Sequence, residues 1–117
     1  MSGKYLIFGA TGSIGSNLAK LMVGKNQNVQ LIGRDENGLN ALSSELGCKY
    51  SVVDVLDEQS VKNLKNEFES KEIAGIAYCV GSIDLKPVRA VKKDDFMKCF
   101  DLNFFPIVET IKNFQDN

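Results

Sequence analysis

Lys4-Tyr5-Leu6-Ile7-Phe8-Gly9-Ala10-Thr11-Gly12-Ser13-Ile14-Gly15 is the stretch that decides the fold. Lys4 to Phe8 is a short run of residues that suit a buried strand. It stops at three glycines in a G-x-x-G-x-x-G rhythm. Beyond them Ile14, Leu18, Leu21 and Met22 recur at helical spacing, which predicts an amphipathic helix. A strand that passes through glycines straight into a helix must turn sharply. Glycine supplies dihedrals closed to other residues and leaves room where a Cβ would stand. The free N–H groups that open the helix then face outward and attract an anion.

A glycine triplet alone says little. The strand before it and the helix after it supply the context of a phosphate-cradling turn. No Gly-Lys-Ser/Thr follows at the required spacing, so a Walker A loop is excluded and a dinucleotide is favoured over a nucleoside triphosphate. The candidate binding segment is Gly9, Thr11, Gly12, Ser13, Ile14 and Gly15, with Thr11 and Ser13 as possible hydroxyl donors.

Outward from this turn the pattern repeats. Val29 to Ile32 reads as a second strand, stopped by Gly33. Leu39, Leu42 and Leu46 mark one face of a second helix, with Gly47 as its stop signal. Tyr50 to Val53 is a third strand. Asp57 is placed to cap a third helix with an inner face of Val61, Leu64 and Phe68. Ile73 to Val80 is a fourth strand, apolar nearly throughout, as expected of one covered by helices on both faces. A loop through Pro87 leads to a long helix from about Asp94. Its expected inner stripe is Phe96, Phe100, Asn103/Phe104, Ile107, Ile111 and Phe114, and Asp94 and Asp95 suit the positive end of its first turn. Alternating strands and helices imply parallel pairing through right-handed crossovers. The expected architecture is α/β, a Rossmann-type doubly wound parallel sheet, incomplete, with four βα units in one domain over residues 1–117.

Composition narrows the function. The chain of 117 residues is 44% hydrophobic and 25% charged, ordinary for a globular domain. Lys and Arg number 14 against 15 Asp and Glu, a net charge of -1, so the basic excess that nucleic acid demands is missing. The three cysteines, Cys48, Cys79 and Cys99, are widely spaced and there is no histidine. No metal or C-x-x-C redox site is expected, and reduced thiols fit the cytoplasm. The longest nearly apolar run, Ile73 to Ile83, is far short of the ~20 residues a bilayer helix needs, so no membrane partner is expected. The N-terminus lacks the longer apolar region of a signal peptide.

Cofactor preference rests on the end of the second strand. NAD-binding folds place an acidic residue there, ~20 residues past the glycines, to hold the ribose hydroxyls. Here Gly33 stands at that position and Arg34 follows. A carboxylate would repel a 2′-phosphate; a guanidinium can grip it with charge-assisted bonds. Gly33 and Arg34 therefore favour NADP(H) over NAD(H), although Asp35 next door could still reach a ribose.

With these residues in place the whole chain resembles the short-chain dehydrogenase/reductase family. The family's first turn reads T-G-x-x-x-G-x-G; here Phe8 replaces the Thr and Gly12 sits one place early. Asp54-Val55 resembles the family's D-V pair, which holds the adenine. Tyr78-Cys79-Val80-Gly81 takes the place of N-N-A-G, and only the glycine is kept. The resemblance thus adds Asp54, Val55, Cys79, Val80 and Gly81 to the candidate cofactor contacts, the last three through their backbone. Lys93-Asp94-Asp95-Phe96 and Phe100-Asp101-Leu102-Asn103 resemble the family's E-D-F and F-x-V-N. Asn103 then corresponds to the active-site Asn, at a local break of its helix. Pro106 gives that break a physical cause: it lacks an N–H, and its ring crowds the carbonyl of Leu102.

The resemblance implies an NADP(H)-dependent oxidoreductase that moves hydride between nicotinamide and a carbonyl or alcohol substrate, in a homo-oligomer. It also implies a catalytic Ser on a fifth strand and a Tyr-x-x-x-Lys on the next helix. Neither is found: Tyr5, Tyr50 and Tyr78 fall in strands, and none has Lys four residues on. The chain is expected to be the cofactor half of a longer reductase, inactive alone and prone to associate through an open strand edge and an open helix face. Two other readings remain. The extended branch of nucleotide-sugar epimerases and dehydratases matches the glycine rhythm better. A sensor module would bind the dinucleotide without turning it over.

Overall fold

The computed structural model describes residues 3–69, 71–82 and 85–115. Ile83, the end of the apolar run, lies outside them, as do the two residues at each end of the expected domain. Four parallel strands, β1 (Lys4–Phe8), β2 (Val29–Gly33), β3 (Lys49–Val52) and β4 (Ile73–Tyr78), form one sheet in the order β3-β2-β1-β4. Between them run α1 (Ser13–Gly24), α2 (Glu36–Leu46) and α3 (Glu58–Lys65). A short 3-10 turn at Val88–Ala90 precedes α4 (Lys93–Asn103) and α5 (Phe105–Phe114).

The period of two along each strand sorts the core into two layers. Leu6, Phe8, Ile32 and Val53 pack with Val61, Leu64, Phe68 and Phe114 on the α3 and α5 side. Ile7, Val29 and Leu31 pack with Ala19, Leu39 and Leu42 on the α1 and α2 side. Both faces of the sheet are thus covered, as the apolar strands predict. Gln30 is the buried exception on β2. It accepts from Lys4 Nζ at 3.1 Å and donates to Ser51 Oγ at 2.7 Å, and Ser51 donates to Glu67 at 2.8 Å. A row of polar groups across three strands thereby satisfies what would otherwise be a costly burial.

The expected signals hold at Asp57, which caps α3 by accepting a backbone N–H, and at Gly47, which ends α2 at φ +69°. The structure adds Asp35, which caps α2 in the same way. Three expectations need correction. In α1 the buried residues are Gly15 and Ala19, while Ile14 and Leu21 are exposed. The helix comes against the sheet by its small residues, so Leu18 and Met22 pack beside the core while Ile14 and Leu21 face outward. β4 ends at Tyr78 and is only half-buried, because it is the outer strand and pairs with β1 alone. The last helix is two. It breaks at Phe104 (φ -124°, ψ -59°), and the break resets the helical phase. The inner face of α5 is Pro106, Thr110 and Phe114, whereas Phe96, Phe100, Phe104 and Ile111 are exposed.

Candidate functional site

The chain builds β1, β2 and β3 outward, then crosses back to place β4 on the other side of β1. This reversal opens a crevice at the carboxyl ends of the strands, where α/β sheets hold ligands. A cleft of about 370 Å³ lies there. Its lining includes Phe8, Gly9 and Thr11 from the first turn, Gly33, Arg34 and Asp35 after β2, Asp54 and Val55 after β3, and Val80, Gly81 and Ser82 after β4. Eight of the fourteen residues singled out in the sequence, from four distant segments, thus meet in one wall.

Two of the three glycines are sterically required. Gly9 has φ +76°, and a Cβ there would stand 2.7 Å from the Cys79 carbonyl carbon. A Cβ on Gly15 would fall on the Gly9 carbonyl oxygen. Gly12 is extended and has room for a side chain. It occupies the N-cap of α1, which has no side-chain cap and no acidic residue in its first turn. The N–H groups of that turn are left for an anion, in contrast to α2 and α3 with their capping aspartates. Gly12, Ser13, Ile14 and Gly15 shape this turn without lining the cleft; Ser13 and Ile14 are exposed.

After β2, Arg34 is exposed at the cleft. Asp35 caps α2 by accepting from Gly38 N at 3.3 Å. A Cβ on Gly38 would meet Asp35 Oδ2 at 2.7 Å and Thr11 Cγ2 at 3.1 Å, so this glycine lets α2 close on the first turn. Asp54 turns its Oδ1 back to Leu56 N at 3.0 Å, and its own N–H donates to Ser60 Oγ at 3.1 Å. That fixes the loop after β3 beside the cleft.

The fourth wall comes from the end of β4. Cys79 donates its N–H to the Phe8 carbonyl at 2.9 Å, and its side chain packs on the α1 and α2 side, away from the cleft. Burial raises its thiol pKa, which favours the thiol over the thiolate. Asn103, the last residue of α4, clamps the loop: its Oδ1 accepts from Ser82 N at 2.8 Å and its Nδ2 donates to Ser82 O at 2.7 Å. A Cβ on Gly81 would come within 3.1 Å of that Oδ1. The carbonyl that Pro106 leaves without a helical donor, on Leu102, accepts from the Tyr78 hydroxyl at 3.2 Å. Burial pushes the Tyr78 phenol up to about 12, so it remains a donor at neutral pH.

The chain matches the family model for short chain dehydrogenases over residues 4–117. It belongs to the short-chain dehydrogenase family. No curated protein sequence matches it. Solved structures share the fold at low identity. A short-chain type dehydrogenase/reductase from Mycobacterium ulcerans superposes with a TM-score of 0.84 at 20% identity, over 97% of this chain and 46% of that one. Serine dehydrogenase from Escherichia coli gives 0.86 at 19%, over 96% and 54%. A variant of actinorhodin polyketide ketoreductase, solved with NADPH, gives 0.86 at 18%, over 96% and 46%. The chain spans about half the length of these relatives.

Several contributors to the cleft of this family member carry no signal of their own in the sequence. Ser82 and Leu102 line the cleft, and Tyr78 supports it from behind. Pro106 was the available signal for Tyr78. It marked the Leu102 carbonyl as freed, but nothing local in the sequence says which donor reaches it.

Proposed function

We propose that this chain forms the NADP(H)-holding part of a short-chain reductase that moves hydride between the nicotinamide and a carbonyl or alcohol carbon of a small molecule. One observation carries the cofactor choice. Arg34 opens on the cleft while Gly33 takes the place of the ribose-binding acid and Asp35 is engaged as a helix cap. The cradle supports the same reading, since Gly9 and Gly15 keep a close backbone approach open and the first turn of α1 is uncapped. The bound nicotinamide would supply the redox chemistry. Residues of this chain would hold and orient it: the α1 turn and Thr11 at the pyrophosphate, Arg34 at the 2′-phosphate, Asp54 and Val55 at the adenine, and Cys79, Val80 and Gly81 through their backbone. Asn103 would act beside the reacting end through its helix break. The working protein is proposed as a cytoplasmic homo-oligomer.

Titration of the chain with NADPH and NADH tests this. NADPH should bind more tightly, and Arg34→Ala should erase most of the difference. Arg34 is exposed, so the loss belongs at the low end of charge-assisted pairs, about 1.5 kcal/mol or roughly tenfold. Gly33→Asp should favour NADH. Its Cβ has space, with Leu39 Cδ2 at 3.4 Å. Equal binding of the two cofactors by the unmodified chain would end the assignment.

A further inference from the structure

Tyr78 touches the cleft wall at two points without lining the cleft. Its ring stacks on Phe8, with centroids 5.9 Å apart, and its hydroxyl donates to the Leu102 carbonyl at 3.2 Å. Phe8 and Leu102 both line the cleft. Leu102 is followed by Asn103, whose side chain grips both backbone groups of Ser82, another lining residue. The whole arrangement hangs on one missing donor. In an unbroken helix the N–H of residue 106 would bond the Leu102 carbonyl, and Pro106 has none. A half-buried carbonyl left without a partner is costly, and the phenol of Tyr78 removes that cost.

We infer that Tyr78 is a positioning residue for the cofactor cleft: its hydroxyl takes over the carbonyl that Pro106 frees, holds the α4 to α5 break in place, and so sets Asn103 and Ser82. Its consequence for cofactor binding rests on the function proposed above; the positioning itself does not. If Tyr78 were only a packed aromatic, its hydroxyl would be dispensable, because a phenylalanine ring could keep the stack on Phe8.

Tyr78→Phe in the full chain separates the two. Amide hydrogen exchange at Ser82 should rise about fivefold, equivalent to one ordinary hydrogen bond of ~1 kcal/mol. The side-chain amide resonances of Asn103 should shift, the amides of Leu6, Ile7 and Phe8 should exchange as before, and NADPH should bind about fivefold more weakly. Pro106→Ala restores an N–H four residues after Leu102. In that background Tyr78→Phe should change none of these readouts. Unaltered Ser82 exchange in Tyr78→Phe, or the same effect in both backgrounds, overturns the positioning role. Faster exchange with undiminished NADPH affinity overturns its link to the cleft. Exchange needs no cofactor, so failure of the unmodified chain to bind NADPH would sink the cofactor reading and leave the positioning test standing.

Discussion

Gly9 and Gly15 constrain each other. A side chain on Gly15 meets the Gly9 carbonyl, and Gly9 itself has both a positive φ and the backbone of Cys79 at contact distance. Gly47 is different in kind: it has φ +69° and open space around it. The two substitutions to alanine should therefore differ. Gly47→Ala meets only the strain of a left-handed alanine, about 1 kcal/mol. Gly15→Ala must push backbone aside, which costs about 1–3 kcal/mol, and it should also abolish dinucleotide binding. Denaturant unfolding with parallel NADPH titration checks both. A Gly15→Ala chain that kept full affinity would show that the first turn does not set the cleft. Arg34 was legible for another reason: its charge, its position after a strand and the absence of an acid at Gly33 are all local facts.

Of the five α-helices among the described residues, α4 alone has no buried residue. Its start depends on Asp95, whose carboxylate accepts from Lys86 Nζ at 2.8 Å and from the Lys92 N–H at 2.8 Å. The Lys86 bond, then the Lys92 amide, holds this carboxyl below the usual aspartate range. A depressed folded pKa means that the stabilisation is complete above the ordinary aspartate value of about 3.9 and is lost as pH falls through the lower folded value. The first turn of α4 should fray on acidification in that window, seen as lost protection of the Lys92 amide relative to its intrinsic exchange rate at each pH. Asp95→Asn should fray at neutral pH and show no such dependence. The sequence placed Asp95 in the first turn, and the start of α4 one residue earlier than expected is a small change. The break at Phe104 matters more. Pro106 marks it in the sequence, but a helical period continued through the break puts Phe96, Phe100, Phe104 and Ile111 on one inner face, and all four are exposed.

At the scale of the molecule, that miscounted stripe becomes a surface. Phe100, Phe104 and Phe105 pack on one another, with ring centroids 5.6 to 6.2 Å apart, and Phe96, Val108 and Ile111 are exposed nearby on the same two helices. An exposed aromatic group of this extent favours association. β4 adds an outer edge, since it pairs with β1 alone. The chain should therefore sediment as concentration-dependent oligomers, and Phe100→Glu should shift it toward monomer by placing a charge among the rings. A concentration-independent monomer would count against this expectation. Among the described residues no helix is long and apolar enough to cross a membrane, and no group of three or more Cys, Asp or Glu side chains is placed to hold a metal ion.

The sequence by itself determined the alternation of strands and helices, the cap at Asp57, the turn glycines and eight of the residues that line the cleft. Each depends on interactions within a few positions of the chain, or on a period of two or 3.6 that shows which side of an element is apolar. Only the tertiary structure decided which side of β1 received β4, that α1 meets the sheet through Gly15 and Ala19, and that Tyr78 bonds a carbonyl on α4. The last two outcomes depend on how closely segments distant in sequence can approach, which is set by the small volumes of Gly15 and Ala19 on one face and by the donor missing at Pro106 on the other.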